Sequence, residues 1–193
     1  MFIAFEGMDG SGKSTQARLL YKRMVAQNAK VELTMEPTDG KIGDIMKVLI
    51  GGQNVSVDPA TLQLLFIADR SDHVHKFIKP NLDAGKIVIT DRYLISTIAY
   101  GMSFNLSEEW LRNANGIFPY PDYNLIIDVD SDVALKRVSK RNNGKSYFER
   151  KDFLDTIREN YKILASKNKN CYIIDGNNSE EEVSKAINSI LKI

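Results

Sequence analysis

Five short apolar runs punctuate the chain: Phe2 to Phe5, Val31 to Met35, Ile87 to Thr90, Leu125 to Val129 and Tyr172 to Ile174. Apart from Val31 to Met35 they do not alternate cleanly between apolar and polar positions, so the set reads as strands of a sheet covered on both faces. The segments between them are long enough to hold helices, and that order predicts an α/β fold, a parallel sheet with helices on both sides. Lys13 to Asn28 carries Ala17, Leu20, Tyr21, Met24 and Val25 at helical spacing. Asp58 before Pro59 joins a favourable N-cap to proline at the first helical position, and this helix is expected to reach about Ala84, stop at Gly85 and kink or end locally at Pro80. Ser107 and Ser131 are expected to cap helices starting at Glu108 and Asp132, and Ser179 with Glu182 fits a capping box. Thr38 to Gly40 reads as a turn. Arg141 to Ser146 is polar, rich in cations and poor in apolar anchors, which suits either a mobile cover over a ligand or an ordinary solvated connection.

Composition narrows the classes without choosing one. The 193 residues include 26 Lys plus Arg against 25 Asp plus Glu, a formal charge of +1, which predicts one domain over residues 1–193. It provides no chain-wide excess of positive charge for nucleic acid or an anionic membrane. The start, Met1 to Gly7, turns acidic and glycine-rich too soon for a signal peptide, and no apolar run approaches the ~20 residues that cross a bilayer. With Cys171 as the single cysteine, a reducing, cytoplasmic setting is expected. Cys171 opens an apolar run and reads as a small buried hydrophobe. His73 and His75, two apart, would point to different sides of a helix and not share a metal.

The chemistry enters at Gly7-Met8-Asp9-Gly10-Ser11-Gly12-Lys13-Ser14, followed by Thr15, which fits G-x-x-x-x-G-K-[ST] between the first strand and the first helix. Glycines let successive amides face one anion, and the positive end of the following helix adds to the attraction. Lys13 brings a full charge to the β and γ phosphates, while the Ser14 hydroxyl suits Mg²⁺. Asp91, ending an apolar run, is a second candidate for that ion or its water shell, or else a helix cap. A GTPase reading fails: the nearest string to N-K-x-D is Asn168-Lys169-Asn170-Cys171, and the D-x-x-G spacing Asp9 to Gly12 lies inside the phosphate loop.

Beyond the loop, Leu65-Phe66-Ile67-Ala68-Asp69-Arg70, Asp91-Arg92-Tyr93, Ser96-Thr97 with Ala99-Tyr100, Glu36-Pro37, Pro121-Asp122 and Asp128-Val129 stand in order along the chain. With the phosphate loop and its flank Phe5-Glu6, this set resembles thymidylate kinase over nearly the whole sequence. The resemblance implies a P-loop NTPase-type, five-stranded parallel sheet, a short lid near residues 141–149, a homodimer, and transfer of the γ-phosphoryl of ATP to dTMP, giving ADP and dTDP. It implies that Phe66 stacks on the base, Arg70 donates to it, Thr97 and Ser96 bond its edge, Arg92 grips the acceptor phosphate, and Tyr100 disfavours a ribose 2′-hydroxyl. Phe66 and Arg70 are one helical turn apart and can face one pocket.

The chain departs from the family pattern at Met35, where Arg often precedes Glu-Pro, at Gly101, where Gln is common, and at Ser146-Tyr147, where the lid often has Asp-Arg. Its phosphate loop carries no arginine, so the lid region is expected to supply the extra charge, with Arg137 and Arg141 sharing a helix face towards phosphate. Asp9, an acid in an anion-binding loop, is expected to face Mg²⁺, a sugar hydroxyl or a basic partner. The nearest rival is a P-loop kinase for another nucleoside or nucleoside monophosphate. From another class comes a nucleotide-dependent regulatory ATPase.

Overall fold

The computed structural model describes residues 1–51, 57–140 and 150–193. The expected cover at 141–149, with Arg141 and Ser146-Tyr147, lies outside the described residues. Five strands, β1 (Phe2–Glu6), β2 (Val31–Met35), β3 (Ile87–Asp91), β4 (Tyr123–Asp128) and β5 (Cys171–Asp175), form one parallel sheet in the order β2-β3-β1-β4-β5. The central strand β1 aligns Phe5 with Asp91 of β3 and with Leu125 of β4.

Both faces of the sheet are covered, which is why the central strands β1, β3 and β4 show no alternation. Ile3, Phe5, Ile89, Leu125 and Ile127 pack with Ala17, Leu20 and Met24 of α1 (Lys13–Ala26) and with Val183 and Ile187 of α9 (Glu180–Leu191). On the opposite face, Ile126 joins α5 (Leu94–Ser103), α6 (Glu108–Asn115), α7 (Ser131–Ser139) and α8 (Lys151–Lys167) through Ile98, Leu111, Ala134 and Ile157. Phe2, Ala4 and Val88 of that face meet Ile78 and Tyr93. Because β1 has β3 on one side and β4 on the other, the β1–α1 connection leaves the sheet where strand order reverses, the usual crevice of open parallel sheets.

The expected caps at Asp58, Ser107 and Ser179 are present. Asp58 accepts from Thr61 N at 3.1 Å and Ser107 from Trp110 N at 3.3 Å, and Ser179 with Glu182 completes a capping box. Ser131 does not cap. The helix begins one residue earlier with Asp130 at the cap, and the Ser131 hydroxyl donates to Asp155 at 2.5 Å. Around Pro80, α3 (Pro59–His73) passes through a π-helical turn (Val74–Ile78) into α4 (Lys79–Asp83). Proline has no N–H to continue the α pattern, and the wider turn absorbs the defect. The helix α2 (Lys41–Gly51) follows the turn at Thr38 to Gly40 and was not anticipated. Among the described residues, no helix is long and apolar enough to cross a membrane.

Candidate functional site

The phosphate loop joins β1 to α1 at the switch point. Gly7 (φ 136°) and Gly10 (φ 82°) adopt left-handed backbone, and a Cβ on Gly7 would lie 2.6 Å from the Ile127 carbonyl oxygen, so the curl requires glycine. Gly12 is the N-cap of α1; its carbonyl takes the Thr15 and Gln16 amides at 3.0 and 3.1 Å and the Lys13 amide lies 3.4 Å from Ser11 Oγ, while the positive end of the helix faces the loop. Ser14 and Thr15 stand half-buried in that first turn. Lys13 is buried, its Nζ 3.4 Å from Asp9 Oδ1 and 3.5 Å from the Met8 carbonyl. Burial and the nearby Arg92 cation lower its pKa, while Asp9 and Asp91 pull it back up.

Asp9 faces a basic partner, one of the three options its chemistry allows. Its Oδ1 accepts from Arg92 Nη2 at 2.6 Å. Partial desolvation pushes the Asp9 carboxyl up, but Arg92 and Lys13 outweigh it and hold the group well below the usual carboxylate range. Arg92 also donates to the Gly7 carbonyl at 3.0 Å, to Ser96 Oγ at 3.1 Å and to Tyr100 Oη at 3.3 Å, with its guanidinium carbon 5.2 Å from the Tyr100 ring centroid. One cation thus bridges the loop and the helix α5.

Arg92 holds φ 74°, a strained backbone for a side-chain-bearing residue. The buried Glu6, at the end of β1, clamps the turn. Its Oε1 accepts from the Tyr93 and Ile95 amides, each at 3.1 Å, capping α5 from another strand, and its Oε2 accepts from the Ser96 hydroxyl. Burial pushes the Glu6 carboxyl up to about 7, against the lowering effect of Ser96 and Arg92. With Glu6 ionised, Ser96 spends its proton there and accepts from Arg92. Its expected bond to a base edge is thereby replaced by a role in orienting Arg92.

Beyond Arg92 opens a cavity of about 200 Å³ whose lining includes Asp9, Phe66, Arg70, Arg92, Ser96, Thr97 and Tyr100, so all six expected acceptor-site residues meet in one space. Phe66 both lines the cavity and packs on Met46 and Leu62. Arg70, only 1% exposed, is tightly held: its Nε and Nη2 reach Glu36 Oε2 at 3.0 and 2.6 Å, its Nη1 reaches Asn115 Oδ1 at 2.5 Å, and its Nη2 reaches Thr97 Oγ1 at 2.9 Å. Glu36 Oε1 stands 3.0 Å from His73 Nδ1, and His73 Nε2 stands 2.7 Å from Thr34 Oγ1. The histidine serves a buried network. Glu36, Asn115 and Thr97 already take most of the Arg70 donors.

On the other side of the loop, Arg137 donates to the Gly10 and Ser11 carbonyls, each at 3.4 Å, and to the Gly176 carbonyl at 3.1 Å. It braces the loop backbone and walls a second hollow of about 190 Å³ with Ser11, Gly12, Thr15, Gln16 and Asn178. Asp91 does not cap a helix, since Glu6 holds the α5 amides. Its Oδ1 is buried without a hydrogen-bond partner among the described residues. An uncommitted carboxylate oxygen electrostatically coupled to Lys13, with the Ser14 hydroxyl in the first turn of α1, is a donor set that fits Mg²⁺. Cys171 packs beside the core formed by α5 to α8, and burial pushes its thiol up to about 12, as suits an inert side chain.

Sequence reasoning assigned no role to Glu36, Asn115, Tyr161 or Gln63. Glu36 sat in a recognised motif and Gln63 stood as the single amide in an apolar run; Asn115 and Tyr161 gave no local signal. Tyr161 Oη lies 2.9 Å from Ser96 Oγ and 3.3 Å from the Gly7 carbonyl, tying α8 to the same turn.

A family profile described as thymidylate kinase matches residues 5–187. A probable thymidylate kinase of Thermococcus onnurineus is 38% identical over 199 aligned residues, covering 100% of this chain and 97% of that protein. One of Methanocaldococcus jannaschii is 40% identical over 192, covering 100% and 96%. Among solved structures, the thymidylate kinase of Ehrlichia chaffeensis superposes with a TM-score of 0.81 at 32% identity, covering 100% of this chain and 98% of that one. With the profile spanning residues 5–187 and these relatives matching across its length, the chain belongs to the thymidylate kinase family.

Proposed function

We propose that residues 1–193 form a single nucleoside monophosphate kinase domain that transfers the γ-phosphoryl of ATP to dTMP, giving ADP and dTDP. The observation that carries this reading is Arg92. It touches the phosphate loop through Asp9 and the Gly7 carbonyl and the cavity through Ser96 and Tyr100, so it stands where two phosphate chains would meet. The acceptor needs no general base, because the second pKa of a phosphate monoester is about 6 and its oxygen is largely ionised at neutral pH. What remains is to bring two polyanions together in line, a task for cations and positioning.

Loop amides from Gly7 to Thr15, Met8 and Ser11 included, hold the donor phosphates with Lys13, and Arg137 walls the hollow beside them. Asp9 fixes Arg92 against the acceptor phosphate, and Arg141 would add charge from the lid. Phe66, Arg70 and Thr97 surround the base, and Tyr100 closes the sugar side. Ser14 and Asp91 would hold Mg²⁺, which supplies charge neutralisation on the donor phosphates when bound.

An ATP-coupled assay with dTMP, dUMP, ribose TMP and dCMP tests the reading. dTMP is expected to be used best, with dUMP about tenfold lower in kcat/KM, since one methyl in an apolar pocket gives only ~1 to 3 kcal/mol. Equal rates on all four would instead mean a broad nucleotide kinase, and ADP release without a phosphorylated acceptor a regulatory ATPase.

The proposed setting is the cytoplasm. The proposed assembly is a homodimer through α2 and α3, where Ile45, Val48 and Leu64 are 56%, 78% and 51% exposed. Sedimentation of the wild-type chain and of Val48→Glu checks this: the wild type is expected to run as a dimer and the variant as a monomer.

A further inference from the structure

One side chain of the acceptor cavity is buried, polar and uncommitted. Gln63 is 1% exposed, lies on α3 three residues before Phe66 and seven before Arg70, and shares the cavity wall with both. Neither its Oε1 nor its Nε2 has a hydrogen-bond partner among the described residues. A carboxamide carries a carbonyl acceptor and two N–H donors, and burying both ends unpaired is unfavourable unless a ligand completes them. Its neighbour cannot take over that role in full. Of the five N–H groups of Arg70, four are engaged by Glu36, Asn115 and Thr97, which leaves one Nη1 hydrogen.

We propose that the Gln63 carboxamide is a recognition group for the edge of the acceptor base, with Oε1 accepting a ring imide N–H and Nε2 donating to the adjacent carbonyl. This rests on the acceptor assignment above and names a residue that reads the base. Because neither end is tied to protein among the described residues, the amide can turn over to match the edge presented. Gln63 therefore contributes affinity for a pyrimidine edge, while the remaining Arg70 hydrogen and the Thr97 hydroxyl, fixed in place, set which edge is favoured.

The test uses the full chain, as wild type, Gln63→Leu and Gln63→Met, with dTMP, dUMP and the monophosphate of N3-methylthymidine, which lacks the imide hydrogen. Both variants are expected to raise KM for dTMP about tenfold with a much smaller change in kcat. Their thermal midpoints without nucleotide are expected to stay level or rise, because an unpaired polar group has been removed. The penalty for N3-methylation is expected to shrink in both, while the dTMP to dUMP ratio stays as in wild type. A KM within twofold of wild type in both variants, an unchanged N3-methyl penalty, or a lowered midpoint in both overturns the proposal, the last by assigning Gln63 to the core. Absence of any dTMP turnover by the wild type removes the acceptor reading beneath it, an outcome distinct from normal wild-type turnover with indifferent variants.

Discussion

The two halves of the proposed site are built in different ways. The phosphate loop is a local device whose instructions lie within eight residues, and its buried Lys13 sits against Asp9 and the Met8 carbonyl, within the fields of Arg92 and Asp91. The acceptor cavity works through side chains drawn from separate elements, with Arg70 reaching 34 residues back to Glu36 and 45 forward to Asn115. Backbone recognition is compact and local. Side-chain recognition is distributed, and it doubles as core structure.

That contrast predicts where damage falls. The largest effect is expected from Glu36→Ala, which strands the buried Arg70 charge; stability should fall by about 3 to 5 kcal/mol in chemical unfolding. A loss below about 1 kcal/mol would break the contrast by showing that the cavity is not structural. Next comes Lys13→Ala, for which kcat is expected to drop at least about 100-fold while the unfolding midpoint holds or rises, because the loop gives up a desolvated ammonium. Near-normal turnover would remove Lys13 from the mechanism. Asp9→Ala is expected to resemble it in rate, since Arg92 then loses its 2.6 Å anchor.

Per unit of the variable changed, the smallest effect concerns pH. Glu6 titrates near 4.5 when unfolded and near 7 when folded, so between these values the folded chain holds a proton that the unfolded chain has released. Its contribution to stability is therefore expected to decline as pH rises from 4.5 to about 7, with a slope of at most about 1.4 kcal/mol per pH unit. Glu6→Gln should remove that slope relative to wild type in denaturant titrations across the window. Parallel curves for the two proteins would show that Glu6 titrates at its ordinary value.

The same contrast explains what could be read from the sequence. All five strands were legible: burial on both faces writes continuous apolar runs in the central β1, β3 and β4, the edge strands β2 and β5 kept shorter apolar signals, and the bounds moved by only one or two residues, as where β4 starts at Tyr123 and not Leu125. The helix α2 was not legible. Gly43, a poor helix former, stands inside it because a Cβ there would run into the Thr38 backbone, a constraint that exists only once the chain is folded. In the site, the phosphate loop was complete in one string, and the Phe66 to Tyr100 set followed from family resemblance. The anchoring of Arg70 by Glu36 and Asn115, and the commitment of Ser96 to Glu6, depend on long-range geometry that spacing does not encode.

Gly101 of α5 has a consequence for how this chain can vary. A Cβ there would lie 2.6 Å from Leu111 Cδ1, so the two helices meet with no gap at that point. Any side chain at 101 needs the Leu111 tip to swing aside or be cut back, and cutting it back alone would open a void costing about 2 to 5 kcal/mol. Substitutions at 101 are therefore expected to depend on the rotamer freedom or the size of residue 111.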